Sequence, residues 1–213
     1  MRPVHSFDGL RSVLCIGAHP DDVELGCGGT LHHLHQNHPV VEFTVVVMTG
    51  STERAAEAKE AAARFCGPDS RVHVLGQRDG YLPYEGAAAK DELRELAADL
   101  DPDIVFTHRR DDLHQDHSFV SDLTGQLFRN HLVLEYEIPK YDGDLGTCNT
   151  YVHLSETDAE AKVTGILDVF ATQRSKYWMR ADVLRATLRL RGVESRAPDL
   201  LAEGFVARKL VLT

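Results

Sequence analysis

Short apolar segments alternate with helical segments along the first half of the chain, and this alternation restricts the possible folds most strongly. The apolar segments are rich in Val or Ile and are continuous rather than alternating, which is typical of strands buried on both faces of a parallel sheet. They lie at residues 12–17, 40–48, 71–75 and 103–107, and the predicted helices between them lie at 26–36, 53–67 and 86–100. Parallel strands joined by helical crossovers predict an α/β chain with a three-layer, Rossmann-like fold. Helices are expected on both faces of a mainly parallel sheet.

The second half of the chain continues this pattern more loosely. It predicts a helix after residue 117 that ends at about residue 130, and further helices over 156–171 and near 180–190. Strands are predicted near 132–138, 150–154 and 204–212. No Ser/Pro/Gly-rich linker, charge block or repeat divides the sequence. We therefore expect a single domain over residues 1–213.

The composition is that of a globular protein and excludes several classes of partner. Hydrophobic residues make up 43% of the chain, and the formal net charge of −10 argues against nucleic acid or an anionic membrane as the main partner. No segment approaches the roughly 18 apolar residues of a membrane span, and the beginning of the chain lacks the layout of a signal peptide. We expect a soluble, cytoplasmic protein. The four cysteines include no C-x-x-C pair, which predicts reduced thiols rather than a disulfide framework or a cysteine-rich zinc site.

Polar clusters follow two of the predicted strands at the point where each strand ends. AHPDDVELGCGGT begins at Ala18, and HRRDDLHQDH spans residues 108–117. Parallel strands of one sheet end at the same edge, where ligands bind, so both clusters are expected at one rim. A catalytic zinc takes three protein ligands and leaves one position open for water. His19, Asp22 and one histidine of the second cluster meet that number, and the other aspartate of the pair is then free to act as a base.

Each piece of these clusters also has a simpler structural interpretation. Asp21 or Asp22 alone could cap the helix that follows, and His114 or His117 alone could be a surface or buried structural histidine. The coincidence of two His/Asp-rich clusters at strand ends favours a metal site instead. Four further histidines near or beyond the first predicted helix are interpreted as surface residues: His32, His33, His35 and His38.

The two motifs resemble those of the PIG-L/LmbE-like family of zinc-dependent N-acetylglucosaminyl de-N-acetylases. AHPDD followed closely by Glu and Gly, and HQDH further along, match the order and separation of the family signatures A-H-P-D-D and H-x-D-H. Looser similarities are LGQRDGYL, the helix beginning at 54–57 and AEGF near the end. The chain departs from the family at Gln115, where Pro is frequent, and in the loop MTGSTER, which lacks an acidic residue after its Gly.

The resemblance implies hydrolysis of an N-acetyl amide by a metal-activated water. The implied metal ligands are His19, Asp22 and His117. The implied catalytic residues are Asp21 as general base, His114 as general acid and oxyanion stabiliser, and Asp116 as the carboxylate that orients His114. Zn²⁺ is the expected cofactor, and Fe²⁺ or Co²⁺ suits the same mixed donor set.

The expected substrate is a small molecule or glycoconjugate with an N-acetylglucosamine-type moiety. Residues in predicted loops or helix starts near the rim are candidates for binding its hydroxyls or a phosphate, with a solvated surface role as the alternative for each: Arg54, Asp79, Arg109 and Asp112. Two alternatives stay open, namely an amidase that cleaves a larger acyl or thiol-conjugate amide, and a non-catalytic metal-binding or signalling module. The chain is short for the family, so a homo-oligomer could complete the pocket.

Overall fold

A computed structural model of the chain describes residues 7–211 and contains a seven-stranded sheet with helices packed against it. The strands are β1 (Ser12–Gly17), β2 (Glu42–Thr49), β3 (Arg71–Gln77), β4 (Ile104–His108), β5 (Leu132–Tyr136), β6 (Thr150–His153) and β7 (Ala202–Ala207). The helices are α1 (Asp22–Asn37), α2 (Thr52–Cys66), α3 (Gly86–Ala97), α4 (Gln115–Leu127), α5 (Glu156–Val169) and α6 (Ala181–Ser195), with a 3₁₀ turn at Ala171–Gln173.

The strand order is β3-β2-β1-β4-β5-β7-β6, and the first five of these strands run parallel. β7 is antiparallel to both of its neighbours, β5 and β6. The central strands β1 and β4 are buried along almost their whole length, as their continuous apolar sequences predicted. The predicted Rossmann-like α/β fold with a mainly parallel sheet is therefore confirmed.

Two apolar cores lie on opposite faces of the sheet. One includes Leu31, Phe65 and Ile166, from α1, α2 and α5, and the other includes Leu93 and Val120, from α3 and α4. Helices therefore cover both faces, as predicted. The four cysteines are free and buried. Within residues 7–211, the structure contains no helix that is both long and apolar enough to cross a bilayer.

The first helix begins earlier than its glycine-rich sequence suggested. It was expected from Gly26, whereas α1 starts at Asp22. Gly26 serves close packing, because a Cβ at this position would lie 2.3 Å from the ring of Tyr136. The last strand is shorter than predicted, since its pairing with β5 and β6 covers residues 202–207, and residue 212 lies outside the described range.

A kink divides α1 at Cys27, whose φ of −136° is not helical. The turn after the kink presents the free backbone N–H groups of Gly29 and Thr30. Both donate to the carboxylate of Glu203 on β7, at 2.9 and 2.7 Å. The same carboxylate accepts from the buried ammonium of Lys162 on α5 at 2.5 Å. One buried ion pair thus joins α1, α5 and the sheet.

His32 and His33, two of the four histidines interpreted as surface residues, share one structural partner. His32 and His33 both contact the carboxylate of Asp158, at 3.0 and 3.2 Å. Asp158 also completes the capping box of α5 with Ser155. The interpretation as surface residues is therefore wrong for this pair, because α1 packs against the first turn of α5.

Candidate metal centre and active site

The loops after β1 and β4 meet at the carboxyl edge of the sheet. The chain connects β1 to β2 on one side and β4 to β5 on the other, so the crevice between β1 and β4 is the topological switch point, where ligands bind in open α/β sheets. Thr49 at the end of β2 holds the first loop, since its backbone N–H and its hydroxyl donate to the Ala18 carbonyl at 3.0 and 2.8 Å. The two predicted polar clusters therefore share one rim.

A sharp turn at Asp21 separates the two adjacent aspartates. Asp21 has a φ of 116°, a strained conformation that typically costs about 1–3 kcal/mol and clusters at functional sites. It occupies the N-cap position of α1, but its side chain makes no capping hydrogen bond. Its Oδ1 accepts from Arg54 Nη2 at 2.9 Å, whereas Asp22 Oδ2 accepts from the backbone N–H of His19 at 2.6 Å. Helix capping does not account for the Asp21 carboxylate.

The donor atoms of His19, Asp22 and His117 converge. His117 Nε2 lies 3.2 Å from His19 Nδ1 and 3.5 Å from Asp22 Oδ1. His19 Nδ1 lies 3.3 Å from Asp22 Oδ2. Donors bound to a tetrahedral zinc at about 2.0–2.1 Å are about 3.3 Å apart, so this spacing fits a single ion. All three residues are buried, which keeps their polar atoms away from bulk water.

Three overlapping groups of side chains in residues 7–211 bring possible ligand atoms within 4.8 Å of one another. The groups are His19, His114 and His117; Asp22, His108 and His117; and His19, Asp79 and Asp116. Each group contains His19 or His117, so the three groups form one continuous cluster of donor atoms around the predicted metal ligands. This part of the chain thus contains a His/Asp cluster that could hold a metal ion.

Asp21 and Asp22 differ in proton affinity although they are adjacent. Burial would raise the pKa of Asp22, but the neighbouring histidines, above all His117, hold it well below its usual value. Burial and the Asp22 charge raise the pKa of Asp21 well above its usual value, although the Arg54 guanidinium opposes the shift. Asp22 therefore stays ionised, as a ligand must, whereas Asp21 is suited to accept a proton.

Asp112 contacts His117 directly, although the sequence suggested that it binds substrate. Its Oδ2 accepts from His117 Nδ1 and from Lys140 Nζ, each at 3.1 Å, and its Oδ1 accepts from the backbone N–H of His114 at 2.8 Å. Burial would raise the pKa of Asp112, but its contacts with His117 and Lys140 lower it to about 2. The bond to Nδ1 directs His117 Nε2 towards the donor cluster.

The resemblance implied that the Asp116 carboxylate orients His114, but in the structure this carboxylate has other partners. The buried carboxylate accepts from the backbone N–H groups of Gly80 and Leu82, at 2.7 and 3.2 Å, and lies 3.2 Å from His19 Nε2. The Asp116 side chain, in the first turn of α4, lies between the loop after β3 and the ring of His19, and these two take up its carboxylate oxygens. The backbone N–H of Asp116, instead, donates to His114 Nδ1 at 3.2 Å.

The ring of His114 lies against the donor cluster. It stacks on His117 with ring centroids 4.4 Å apart and meets the ring of His19 edge-on at 5.0 Å. Burial and the charges of these two histidines lower the pKa of His114. Because its Nδ1 accepts a backbone hydrogen bond, the neutral ring carries its proton on Nε2.

The remaining predicted substrate contacts differ in their surroundings. Arg54 Nη2 donates to the Pro20 carbonyl at 2.6 Å as well as to Asp21. Asp79 Oδ1 lies 3.1 Å from His19 Nε2, and its side chain is 61% exposed. Arg109 donates from Nε and Nη2 to Asp111, at 2.8 and 2.6 Å. Asp79 thus combines contact with the donor cluster and access to solvent.

Two residues of the site received no role from the sequence. His108 ends β4, and its Nε2 accepts from the Ala18 N–H at 2.9 Å and lies 3.2 Å from Asp22 Oδ2. Burial, together with His117, lowers the pKa of His108 to about 4, so this ring is neutral. Its place at the beginning of HRRDDLHQDH was an available signal. Lys140 has no local signal, because only the folded chain brings it to Asp112.

The chain is similar to known deacetylases. The family model PIG-L, GlcNAc-PI de-N-acetylase, matches residues 14–128, which include both motifs. An uncharacterized deacetylase, YaiS of Escherichia coli (strain K12), is 30% identical over 146 residues, which cover 63% of this chain and 77% of that protein. A diacetylchitobiose deacetylase of Thermococcus kodakarensis is 29% identical over 96 residues, which cover 40% of this chain and 36% of that protein. The structure of an N,N'-diacetylchitobiose deacetylase from Pyrococcus horikoshii matches 94% of this chain and 85% of its own, with a TM-score of 0.70 and 22% identity.

Proposed function

Because the chain belongs to the GlcNAc-PI de-N-acetylase (PIG-L) family, we propose that it is a metal-dependent hydrolase that removes the acetyl group from an N-acetyl amino sugar. The observation that carries this proposal is the convergence of the His19, Asp22 and His117 donor atoms beside an Asp21 carboxylate that caps no helix. The relatives named diacetylchitobiose deacetylases support a GlcNAc-type moiety as the substrate.

We propose Zn²⁺ as the ion held by these three residues, and Fe²⁺ or Co²⁺ fits the same two nitrogens and one carboxylate. When bound, the ion lowers the pKa of a water molecule towards about 7 and polarises the acetyl carbonyl. Asp112 and Asp116 support the site by fixing the outward-facing ring nitrogens of His117 and His19.

Asp21 is proposed to take the proton of the attacking water. Its carboxylate is next in sequence to a metal ligand but points elsewhere because of the turn at its own φ. The raised pKa of Asp21 brings its proton affinity closer to the working pH, which favours a general base. Arg54 holds the carboxylate in one orientation by donating to Oδ1.

His114 is proposed to donate a hydrogen bond from its Nε2–H to the oxygen that becomes negative as the amide carbon turns tetrahedral. The backbone hydrogen bond to Nδ1 selects this tautomer. One oxyanion donor typically contributes about 10²–10³ in rate. Collapse of the tetrahedral carbon then breaks the C–N bond, the proton held by Asp21 passes to the leaving nitrogen, and acetate and the free amine of the sugar are released. Asp79, exposed at the mouth, is proposed to bind a sugar hydroxyl.

The test is a comparison of Asp21→Asn and Asp22→Asn in acetate release from N-acetylated amino sugars and in metal content. Asp21→Asn is expected to keep its metal and lose about 10²–10⁴ in kcat, the usual contribution of a general base. Asp22→Asn is expected to lose both metal and activity, because it removes a ligand. Because both variants carry the same substitution at adjacent positions, comparing them separates a loss of proton transfer from a loss of metal binding.

Three results would overturn the proposal or select an alternative. Release of a larger acid than acetate by the metal-loaded wild-type protein would indicate the amidase alternative. Bound metal with no hydrolysis of any amide would indicate a non-catalytic module. Normal turnover by Asp21→Asn would remove Asp21 as the base. A single domain over the whole chain, a cytoplasmic location and a homo-oligomeric state stay predictions from the sequence.

A further inference from the structure

Three aromatic side chains from two loops form a cluster at the surface, and the proposed catalytic steps do not use it. This aromatic cluster consists of Tyr141, between β5 and β6, and Tyr177 and Trp178, between the 3₁₀ turn and α6. The ring of Tyr141 lies 4.5 Å from that of Trp178 and 6.2 Å from that of Tyr177, in edge-to-face arrangements. Tyr141 is 66% exposed and Tyr177 is 78% exposed. The rings of Tyr141 and Tyr177 are therefore mostly exposed to solvent, although the rings of the cluster contact one another.

The Tyr141 loop is attached to one side of the active site. Tyr141 directly follows Lys140, whose Nζ lies 3.1 Å from Asp112 Oδ2, and Asp112 in turn contacts His117. Asp144 of the same loop accepts from the backbone N–H of Leu113 at 2.8 Å. This loop is therefore held against the one that carries the second motif.

The segment that carries Tyr177 and Trp178 is attached to the other side of the site. Just before it, Thr172 donates from its hydroxyl and its backbone N–H to the carboxylate of Glu57, at 2.6 and 2.9 Å. Glu57 lies one turn of α2 after Arg54, which contacts Asp21. The aromatic cluster therefore joins two segments that are anchored at the His117 side and the Asp21 side of the catalytic residues.

We propose that the aromatic cluster binds the sugar ring that is linked to the N-acetylated ring, so that the substrate is a glycoside of at least two rings. This inference rests on the proposed function and specifies its substrate class. A pyranose has apolar C–H faces that pack on aromatic rings and hydroxyls at its edge that need polar partners. The cluster offers both, with two tyrosine hydroxyls, the indole N–H of Trp178 and the Lys176 ammonium 5.7 Å from the indole ring.

The cluster is preorganised for such a ligand. Trp178 is partly buried and packs against the apolar core formed by α1, α2 and α5, which fixes one side of the platform. Tyrosine and tryptophan supply large contact areas at a low cost in side-chain entropy. An acyl chain would be better matched by aliphatic side chains, so the aromatic composition favours a sugar ring.

Trp178 makes the proposal directly testable, because it is the single tryptophan of the chain. Its fluorescence is to be titrated with N,N'-diacetylchitobiose and with N-acetylglucosamine in the metal-loaded Asp21→Asn protein, in which we expect both ligands to stay intact. The disaccharide is expected to change the emission of Trp178 at saturation, whereas the monosaccharide leaves it unchanged. No change with the disaccharide, or the same change with both sugars, would overturn the proposal.

Steady-state kinetics of the enzyme with Asp21 intact provide a second test. Combined Tyr141→Ala and Tyr177→Ala substitutions are expected to lower kcat/KM for the disaccharide about tenfold through KM, while kcat/KM for the monosaccharide is unchanged. Tyr84→Ala is the matched control, since Tyr84 is 75% exposed on the loop after β3 and contacts Tyr81 rather than the cluster. Equal losses for both substrates, or no loss, would contradict the proposal. Absence of acetate release from either sugar by the wild-type enzyme would instead reject the proposed function.

Discussion

At the residue scale, each histidine of the proposed metal site is held by a buried carboxylate on its outer nitrogen. His19 directs Nδ1 into the donor cluster and places Nε2 3.2 Å from Asp116, whereas His117 directs Nε2 inward and places Nδ1 3.1 Å from Asp112. The two rings thus use opposite nitrogens for the same purpose. A carboxylate in this position fixes the tautomer and the orientation of a metal-binding imidazole.

Replacing Asp112 is expected to weaken metal binding without removing a ligand. Asp112→Asn keeps the size of the side chain but loses the charge that supports His117 and pairs with Lys140. We expect metal affinity to fall about 10–100-fold, measured by competition with a chelator. Asp111→Asn is the control, because Asp111 is exposed and pairs with Arg109. Equal affinities for the two variants would contradict the assigned role of Asp112.

At the scale of secondary-structure elements, α1 depends on groups far from it in sequence. Its first half carries Asp22, and its second half begins after the kink at Cys27. Glu203 accepts from the N–H groups of Gly29 and Thr30 there, 174 and 173 residues away. The buried Lys162 neutralises this carboxylate. The direction of the helix that bears a proposed metal ligand is therefore determined by a buried ion pair.

Breaking this ion pair is expected to destabilise the fold strongly. Glu203→Gln leaves the buried Lys162 ammonium without its direct ion-pair partner, which typically costs about 3–5 kcal/mol in the free energy of unfolding. Urea denaturation followed by circular dichroism measures the change. Asp182→Asn, which breaks an exposed pair with Arg180, should leave the urea midpoint unchanged. A Glu203→Gln midpoint equal to that of the control would show that the pair does not stabilise the fold.

The contact between α1 and α5 is expected to depend on pH. Asp158 raises the pKa of His33, so this contribution to stability is complete below the ordinary histidine pKa and is lost as the pH rises through the raised value. The pKa of Asp158 is lowered by hydrogen bonds from His33, Ser155 and His32 against the effect of burial, so its contribution is lost only in acid. The pair therefore stabilises most between about pH 4 and pH 6.5.

His33→Gln tests this dependence. The loss in urea midpoint relative to the wild-type protein is expected to be larger at about pH 5.5 than at about pH 8.5, because the imidazolium is replaced only at the lower pH. His153→Gln, at an exposed position on β6, is the control at both values. A loss that is independent of pH would show that His33 acts through packing rather than charge.

At the scale of the whole molecule, the site joins two loops that are distant in sequence. His19 and His117 are 98 residues apart, and they meet because β1 and β4 are adjacent parallel strands. The donor atoms of His19, Asp22 and His117 come together only in the folded chain. A cation that binds to the folded chain but not to the unfolded chain therefore stabilises the native state by mass action.

Metal addition is expected to raise the unfolding temperature of the whole protein. At a free Zn²⁺ concentration of about 100 times Kd the gain is about 2.7 kcal/mol, and excess chelator should reverse it. Differential scanning calorimetry of the metal-stripped protein with and without Zn²⁺ measures the shift. Asp22→Asn should show a much smaller shift, because it lacks one ligand. An equal shift in this variant would mean that zinc binds elsewhere.

The sequence by itself determined the α/β class, the mainly parallel sheet and the two polar motifs at strand ends, because burial of a strand on both faces and the alternation of strands with helices are visible in local residue patterns. It also indicated His19 and Asp22 with one histidine of the second cluster, which the family resemblance implied to be His117, and the fold brings these three together. Only the tertiary structure decided that Asp116 accompanies His19 rather than His114, and that Asp112 contacts His117. The kink of α1, the approach of Lys140 and the aromatic cluster were decided there too. These features depend on side chains that meet across long sequence separations, where packing, and not any local periodicity, selects the partner.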